Sequence, residues 1–339
     1  MKMNIKESRF YEKINNKVKC SLCEHRCIIE ENSYGLCKTR KNINGRLYTI
    51  VYGVLSAMES RPIEIKPFFH YWPGSTALTF STFSCNFQCP WCQNWTLSRF
   101  LEINTYYEPE EIIKIAIENK DEGLCSSFQE PTLLTDWNIE LFKIGRKYGL
   151  YSCYVSNGYM TLEVLKELYN AGMDGLKIDI KGDKEIYEKY CGNIDYEKIW
   201  RNVREAKKIG YHIELVNLII TNINDDEECI REIIERTIKE VGIDTPIHFT
   251  RYFPAYKFEK PPTKIEKLEF AYKLAKKMGI LYPYVGNVPG HDYENTYCPN
   301  CNELLIKRYG YRIVKYRLEN NKCPKCNFEV KIVGKYIKK

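Results

Sequence analysis

The chain has 339 residues, of which 44% are hydrophobic and 28% charged, enough apolar sequence for one large α/β core with smaller appended modules. The 51 Lys and Arg exceed the 44 Asp and Glu, but this net charge of +7 is spread along the chain and requires no polyanionic partner. No segment approaches a membrane span, and the opening MKMNIKESRF lacks the apolar stretch of an export signal, so we predict a cytoplasmic protein with no membrane contact.

Cysteine is unusually frequent, with 15 residues, and in a large cytoplasmic chain this number indicates metal binding more than disulfides. Eleven of the cysteines fall into three clusters. The first cluster lies in a module that we assign to residues 1–70 and supplies four thiolates. Its spacing fits either zinc or an additional iron–sulfur cluster, and a structural zinc is the preferred interpretation. The four residues are Cys20, Cys23, Cys27 and Cys37.

Strand-like and helix-like segments alternate six times between about residues 76 and 280, the pattern of a parallel sheet flanked by helices. Several helix-like segments begin at Thr or Asp and end at Gly, as helix capping requires. We therefore predict an α/β fold, a partial (βα)6 barrel over residues 71–290. The strand-like segments are TALTFST, CSSFQE, YSCYVSN, GLKIDIK, HIELVNLII and PIHFTRYF, with LYPYVGN as a candidate seventh.

A loop with three cysteines, Cys85, Cys89 and Cys92, follows the first predicted strand, at the end where parallel α/β folds build their active sites. A structural zinc needs four ligands, and no other Cys or His lies within about thirty residues downstream of Cys92. A [4Fe-4S] cluster explains the count better, because three thiolates hold three irons and the fourth iron stays open to another ligand.

The spacing Cys85-x3-Cys89-x2-Cys92, with Trp91 before the last cysteine, resembles the cluster motif of radical S-adenosylmethionine (radical SAM) enzymes. The resemblance implies that S-adenosylmethionine completes the cluster through its amino and carboxylate groups. It also implies that an electron from the cluster cleaves the sulfonium to methionine and a 5′-deoxyadenosyl radical, which takes a hydrogen atom from a substrate. Such chemistry needs an external low-potential electron donor.

Polar residues after the second and third predicted strands are candidate cofactor contacts. The segment FQEPT resembles the family's Gly-Gly-Glu segment, which implies that Glu130 receives the methionine ammonium, although Phe128 and Gln129 stand where glycines are usual. Ser156 and Asn157 in the next loop suit polar contacts with the ribose or the carboxylate. A plain turn explains the Asn-Gly pair of that loop equally well.

The fourth predicted strand contains KIDIK, which resembles the Asp-x-Lys strand of pyruvate formate-lyase activating enzyme and implies that Asp179 and Lys181 reach the cofactor. Period-two alternation places Lys177 on the same face, and three charges on one face are costly in a dry core but acceptable in a polar, cofactor-filled interior. His248 and Arg251, at the sixth strand, are further candidates for the ribose or carboxylate. For each of them, a hydrogen-bonded structural role is the alternative.

The segment from residue 291 to 339 carries two Cys-x2-Cys knuckles separated by about twenty residues, the spacing of a zinc ribbon. Two short strands around Gly310 are predicted between the knuckles. The preferred interpretation is a structural zinc that stabilises this small module. The alternative is nucleic-acid binding through its basic and tyrosine residues. The predicted zinc ligands are Cys298, Cys301, Cys323 and Cys326.

The whole arrangement, from CSLCEHRC to the closing knuckles, resembles the radical enzyme of the AmmeMemoRadiSam system, a branch of the pyruvate formate-lyase activating enzyme group. This resemblance implies Memo-like and AMMECR-like protein partners, and an acceptor that is either a glycine of a partner protein or a small molecule. Two alternatives stay open. One is a zinc-ribbon nucleic-acid-binding protein in which all three cysteine clusters are structural, and the other is a radical SAM enzyme that modifies RNA.

Overall fold

The computed structural model describes residues 5–100 and 105–339, so the first four residues of the predicted N-terminal module lie outside it. The chain divides into two compact units, and each is interrupted in sequence. The first unit comprises Met1–Arg61, Thr76–Leu176 and Lys208–Tyr211, and the second comprises Pro62–Ser75, Lys177–Lys207 and His212–Lys339. The module boundaries predicted near residues 70 and 290 stay a prediction.

The first unit contains three parallel core strands, β1 (Thr76–Ser81), β2 (Gly123–Ser126) and β3 (Tyr151–Ser156), which pair in that order. A further strand, Ala57–Pro62, neighbours β1 on its other side. All four residues of β2 are buried, and β1 and β3 are buried apart from one partly exposed residue each. Parallel strands that are covered on both faces read as continuous apolar runs, which is why the sequence identified them.

Short antiparallel strands build the N-terminal part of the first unit. None of them was predicted, because each has only two to four residues, too few to show a period-two pattern. One sheet pairs Lys6–Glu7, Arg46–Thr49 and Arg40–Ile43, a second pairs Tyr11–Ile14, Lys17–Cys20 and Ile28–Ile29, and Val54–Leu55 pairs with Thr105–Tyr106.

Some of the helices follow the predicted capping rules, whereas those that begin at Thr135 and Ile265 have no side-chain cap at Leu134 or Lys264. Thr161 accepts a hydrogen bond from the Val164 backbone N–H, Asp226 accepts one from that of Cys229, and the helix after Asp226 ends at Gly242 with φ of +86°. The helices are α1 (Trp95–Arg99), α2 (Pro109–Glu118), α3 (Thr135–Lys147), α4 (Leu162–Asn170), α5 (Lys184–Tyr190), α6 (Tyr196–Ile209), α7 (Glu227–Val241) and α8 (Ile265–Lys277), with 3-10 turns at Ile63–Ile65, Pro131–Leu134 and Asp292–Glu294.

The second unit contains most of the core strand β4 (Gly175–Ile180), from Lys177 onward, and the core strands β5 (His212–Ile219), β6 (Ile247–Arg251) and β7 (Pro283–Gly286), which are neighbours in that order. The β5–β6 and β6–β7 pairings are parallel. The six predicted strands and the candidate seventh are therefore all present, and the α/β class is confirmed. None of the helices in the described residues is both long enough and apolar enough to cross a lipid bilayer.

The C-terminal part of the second unit is a small antiparallel sheet of Thr296–Tyr297, Leu304–Tyr309 and Arg312–Tyr316. The last two strands turn at Gly310, as predicted. Behind the sheet lies a buried cluster that joins apolar and thiol side chains, so the cysteines of this region form part of a packed core. Its members are Phe69, Tyr282, Tyr284, Cys298, Leu305, Ile306, Leu318, Cys323, Val330 and Ile332.

Candidate active site

The loop that carries Cys85, Cys89 and Cys92 follows the carboxyl end of β1, in the first unit. Its path is fixed by hydrogen bonds to its main chain: Arg99 of α1 donates to the carbonyl oxygens of Phe87 at 2.7 Å and Cys89 at 3.2 Å. The backbone N–H of Phe87 points at the Cys85 sulfur, 3.3 Å away. N–H groups aimed at sulfur are typical of the surroundings of iron–sulfur clusters.

Two properties of these thiols bear on the metal that they could bind. Burial, followed by the nearby Glu130 carboxylate, raises the pKa of the Cys85 thiol, so its thiolate form needs a bound cation. In the part of the chain that the structure describes, the three loop sulfurs are not a group lying within 4.8 Å of one another. Thiols that share one tetrahedral zinc lie about 3.8 Å apart, whereas a cubane binds each thiolate through a separate iron.

Three predicted cofactor contacts, Glu130, Ser156 and Asn157, meet in one hydrogen-bond network at the ends of β2 and β3. The carboxylate of Glu130 accepts hydrogen bonds from Ser156 Oγ and the Asn157 backbone N–H, both at 2.8 Å. It also accepts from the N–H and the hydroxyl of Thr132, at 3.1 and 2.5 Å, and so caps the turn Pro131–Leu134. Burial raises the pKa of Glu130 and these donors oppose the rise.

Asn86, which the sequence analysis did not single out, joins this network to the cysteine loop. The side-chain amide of Asn157 donates to Asn86 Oδ1 at 2.8 Å, and Asn86 follows Cys85 directly. Asn86 is 1% exposed. Its position inside the cysteine motif was the available signal, since a buried amide between metal ligands is well placed to orient them.

Gln129 is the second residue whose role was missed. It is 7% exposed, and its Oε1 and Nε2 atoms have no hydrogen-bond partner among the described residues. A buried polar group without a partner costs about 1–3 kcal/mol, so this amide offers a donor and an acceptor to a polar ligand. S-adenosylmethionine, with an ammonium and a carboxylate, fits that pair of groups.

Phe128, which precedes Gln129, stands where a glycine is usual but keeps a glycine-like backbone conformation. Its φ of +69° lies in the left-handed region that favours glycine, and its carbonyl oxygen accepts a hydrogen bond from Asn94 Nδ2. The backbone therefore follows a glycine-like path although the side chains differ. Phe128 and Gln129 therefore preserve the turn of the Gly-Gly-Glu pattern, and Gln129 adds a side-chain amide to it.

The N-terminal cysteines lie close to this site. Cys20, Cys23 and Cys37 are buried and Cys27 is partly exposed. Ser84, just before the loop, donates to the Cys37 carbonyl oxygen at 2.7 Å. The N-terminal module and the cysteine loop are therefore in direct contact within the first unit.

In the second unit, Lys177, Asp179 and Lys181 form an ion-paired triad along β4. Lys177 pairs with Asp179 Oδ1, and Lys181 Nζ lies 2.9 Å from Asp179 Oδ2. Burial alone would raise the pKa of Asp179, but the two lysines hold it well below its usual range. The two ion pairs thus offset the predicted free-energy cost of burying three charges on one face, and the triad carries one excess positive charge.

His248 and Arg251 lie on β6 of the same unit but bind different partners. His248 Nε2 lies 2.8 Å from the carboxylate of Glu214, which also contacts His212 at 3.0 Å. The ring of His248 stacks on Tyr284 at 5.0 Å, and burial lowers its pKa. Arg251 Nε donates to the Thr263 carbonyl oxygen at 2.8 Å.

Glu214, a residue that sequence reasoning missed, is fully buried and also accepts from the backbone N–H groups of Phe69 and His70, at 3.0 and 2.8 Å. Glu214 could have been identified from the sequence, because it is a carboxylate within the otherwise apolar strand sequence HIELVNLII. Next to His248, a cavity of about 40 Å³ opens at the carboxyl ends of β6 and β7, with Glu64 and Glu294 in its wall.

The four C-terminal cysteines meet as predicted, with all their sulfur atoms within 4.8 Å of one another. Cys298 and Cys326 are 3.5 Å apart and Cys301 and Cys323 are 3.6 Å apart, close to the separation of about 3.8 Å in a tetrahedral zinc site. A hydrogen bond from the Asn300 side chain lowers the pKa of Cys326 to about 6. This donor set fits one tetrahedral ion.

Comparisons with known proteins agree with the cysteine motif. The family model of the Radical SAM superfamily matches residues 79–237. An uncharacterized protein of Methanocaldococcus jannaschii is 40% identical over 336 residues, which are 97% of this chain and 100% of that protein. A GTP 3′,8-cyclase of Nautilia profundicola is 24% identical over 250 residues, 68% of this chain and 77% of the cyclase. The crystal structure of Streptococcus suis SuiB bound to S-adenosylmethionine shares the fold, with a TM-score of 0.50 and 12% identity over 62% of this chain and 52% of SuiB.

Proposed function

The chain belongs to the radical SAM superfamily, and on this basis we propose that Cys85, Cys89 and Cys92 bind the [4Fe-4S] cluster at which this enzyme cleaves S-adenosylmethionine. When both are bound, the reduced cluster would supply one electron to the sulfonium of S-adenosylmethionine, whose C5′–S bond breaks to give methionine and a 5′-deoxyadenosyl radical for hydrogen abstraction. The observation that carries the proposal is the hydrogen-bonded path from Glu130 through Asn157 to Asn86, which ties the candidate ligand loops to the cysteine loop.

The residues around the cysteine loop then have distinct roles. Glu130 is occupied by four protein donors, so it shapes the loop and stabilises it more than it binds a ligand. Gln129 supplies the free donor and acceptor for the ammonium and carboxylate of the methionine part. Ser156 and Asn157 fix Glu130 in this role.

The candidates of the second unit stay proposals with unequal support. Asp179 has a side chain that is 28% exposed, and with Lys181 it belongs to a triad whose excess positive charge suits a carboxylate. His248 has weaker support as a cofactor contact, because its Nε2 atom is bound to Glu214 and its side chain is 1% exposed. Arg251 is partly exposed and keeps its terminal guanidinium nitrogens for a carboxylate or ribose.

Anaerobic reconstitution with iron and sulfide tests the proposal. With dithionite and S-adenosylmethionine, the protein should release 5′-deoxyadenosine, measured by liquid chromatography with mass detection. Cys89→Ala should abolish the release, whereas Cys229→Ala, which removes a buried thiol of α7 outside all three clusters, should retain it. Equal release by wild type and Cys89→Ala would refute the mechanism.

For the acceptor, the proposal follows the AmmeMemoRadiSam resemblance: a glycine of a partner protein or a small molecule, with Memo-like and AMMECR-like proteins as partners in the cytoplasm. The relative from M. jannaschii is matched over nearly the whole length, so the three cysteine clusters of this chain all lie within or beside the matched region. Deuterium transfer from labelled candidate substrates into 5′-deoxyadenosine would identify the acceptor.

We further propose that Cys298, Cys301, Cys323 and Cys326 bind one structural zinc in a ribbon module. The sulfur separations support this assignment, and two of the thiols belong to the buried cluster of the module. Cys326→Ser should lower the zinc content by about one ion per chain and lower the melting temperature. Unchanged zinc content in this variant would refute the assignment.

RNA is a second candidate substrate, favoured by the exposed face of the ribbon hairpin. Tyr309 is 64% exposed and Tyr311 is 45% exposed, next to the exposed Lys307, Arg312 and Lys315. Aromatic rings interleaved with basic residues suit stacking on unpaired bases. Binding to single-stranded RNA that weakens steeply with salt, and is lost in Tyr309→Ala, would support this candidate, whereas salt-independent binding would refute it.

A further inference from the structure

We propose that Cys20, Cys23, Cys27 and Cys37 bind a second iron–sulfur cluster, not zinc, and that this cluster relays electrons to the loop of Cys85, Cys89 and Cys92. The relay role rests on the proposed function, whereas the second cluster does not. This assignment reverses the preference for zinc that the sequence alone suggests, and three features of the first unit support it.

The first feature is the spacing of the thiols. In residues 5–100 and 105–339, only the four C-terminal cysteines place three or more ligand atoms within 4.8 Å of one another. No three of the N-terminal sulfurs therefore lie within 4.8 Å of one another, although Cys20, Cys23 and Cys37 are only 6–7% exposed. Thiolates that bind separate irons of a cubane need this wider spacing, and so do those of the cysteine loop.

The second feature is a buried amide nitrogen, that of Asn86, without a hydrogen bond of normal length among the described residues. Asn86 is 1% exposed, and its Nδ2 atom makes no hydrogen bond of normal length among the described residues, but the amide faces the Cys23 thiol closely enough to oppose the rise that burial causes in the pKa of that thiol. The other atoms of Asn86 are used, since Oδ1 accepts from Asn157 and the backbone oxygen contacts His25 Nε2 at 2.8 Å. An N–H donor held next to a thiol is matched by the thiolate and sulfide acceptors of a cluster.

The third feature is the close attachment of the module to the cysteine loop. Cys23 pairs with Met160 in an isolated antiparallel bridge, and the Glu24 backbone N–H donates to the Tyr159 carbonyl oxygen at 3.0 Å. Asn86 itself is bonded covalently to Cys85 and lies beside Cys23. A single residue therefore bridges the two groups of thiols, which makes a short path for an electron.

The direction of transfer follows from exposure. Cys27 is the only partly exposed member of the N-terminal group, so an electron enters there, and Cys23 marks the exit, because His25, two positions later, lies 2.8 Å from the Asn86 carbonyl oxygen. An external low-potential iron–sulfur donor protein reduces the N-terminal cluster from the 2+ to the 1+ state by one electron. The cluster returns to 2+ when it reduces the loop cluster by the same electron, and no atom is transferred.

Metal analysis of the full-length protein, purified anaerobically without added iron and again after reconstitution, tests the second cluster. The reconstituted wild type should contain about eight irons and one zinc per chain. The triple variant Cys85→Ala, Cys89→Ala, Cys92→Ala should keep about four irons and show, after reduction, an electron paramagnetic resonance signal that S-adenosylmethionine does not alter. About four irons and two zincs in the wild type, or a triple variant without iron, would overturn the proposal.

Redox titration tests the relay through Asn86. Asn86→Ala removes the amide donor beside Cys23, so the midpoint potential of the cluster that is insensitive to S-adenosylmethionine should become more negative. Asn157→Ala is the matched control, because it breaks the same Asn86–Asn157 hydrogen bond but keeps the Asn86 nitrogen. Equal potentials in wild type and Asn86→Ala would overturn the relay.

The two proposals fail in different ways. A wild type with about eight irons whose spectrum is entirely unchanged by S-adenosylmethionine would count against the proposed function and leave the second cluster in place. A wild type with about four irons that still releases 5′-deoxyadenosine would count against the second cluster and leave the proposed function in place.

Discussion

Asn157 and Asn86 are joined through their side chains, with Asn157 Nδ2 donating to Asn86 Oδ1 at 2.8 Å. Asn157→Ala leaves the buried Asn86 oxygen without its amide donor, which should cost about 1–3 kcal/mol of unfolding free energy. We also expect the reconstituted variant to lose iron faster in air, measured by the decay of absorbance near roughly 400 nm, where iron–sulfur clusters absorb. Asn170→Ala, at an exposed position of α4, should match the wild type. A fully stable Asn157→Ala would contradict this role.

Gln129→Leu keeps most of the side-chain volume but removes the unpartnered amide. Because one lost hydrogen bond to a charged group is worth about 1.5–3 kcal/mol, the affinity for S-adenosylmethionine should fall about tenfold or more. Equilibrium dialysis with labelled S-adenosylmethionine measures this affinity, and iron content should stay unchanged. Gln93→Leu, an exposed position just after the cysteine loop, is the matched control. Unchanged affinity in Gln129→Leu would remove this residue from the binding site.

Arg40 and Asp136 form a buried ion pair at 3.0 Å, with side chains only 1% and 4% exposed, that fastens the N-terminal module to α3. Arg40→Met leaves the carboxylate unpaired, so the free energy of unfolding should fall by about 3–5 kcal/mol. Adding Asp136→Leu should restore part of the loss, because the unpaired charge disappears. Lys114→Met, which breaks an exposed pair with Glu118, should change stability by less than about 0.5 kcal/mol in the same urea titration.

Glu64 gives the second unit a distinctive dependence on pH. Burial raises its pKa from 4.5 to about 7, against a hydrogen bond from the Gly74 N–H and the charge of Arg308. The folded state thus binds this proton more tightly than the unfolded chain does, so the contribution is full below about pH 4.5 and is lost as the pH rises through about 7.

Glu64→Gln removes this titration and keeps an acceptor for Gly74. The stability of the wild type relative to the variant should fall between about pH 5 and about pH 8, by at most about 3 kcal/mol. Urea unfolding at matched ionic strength measures the difference. A difference that stays constant, or grows with pH, would show that the Glu64 carboxyl is ionised throughout.

The parts of the fold that could be predicted are those in which one strand or helix carries its own signal. Buried parallel strands such as β2 read as apolar runs, and the carboxyl ends of neighbouring strands meet at one edge, so the proximity of Glu130 to Ser156 follows from the order of the elements. The helix α5 was missed because its seven residues are too few for a clear helical period.

The contacts that could not be predicted join distant parts of the chain. Glu214 accepts a hydrogen bond from the N–H of His70, 144 positions away, and no local pattern encodes that distance. Alternation placed Lys177, Asp179 and Lys181 on one face, but it does not specify that they pair with one another. Likewise, the sequence does not show that Asn86 Nδ2 and the Gln129 amide lack hydrogen-bond partners among the described residues. That finding depends on the position of every neighbouring donor and acceptor.

The bridge between Cys23 and Met160 has a consequence for biosynthesis, because the two residues are 137 positions apart. At about 5–20 residues per second, Cys23 leaves the ribosome roughly 7 to 30 seconds before Met160, its bridge partner. During this interval the four N-terminal thiols are displayed on a nascent chain that cannot yet bury them. Metal insertion, oxidation and misfolding compete in that window, so under the proposal of a second cluster we expect the yield of active protein to depend on the supply of iron during translation.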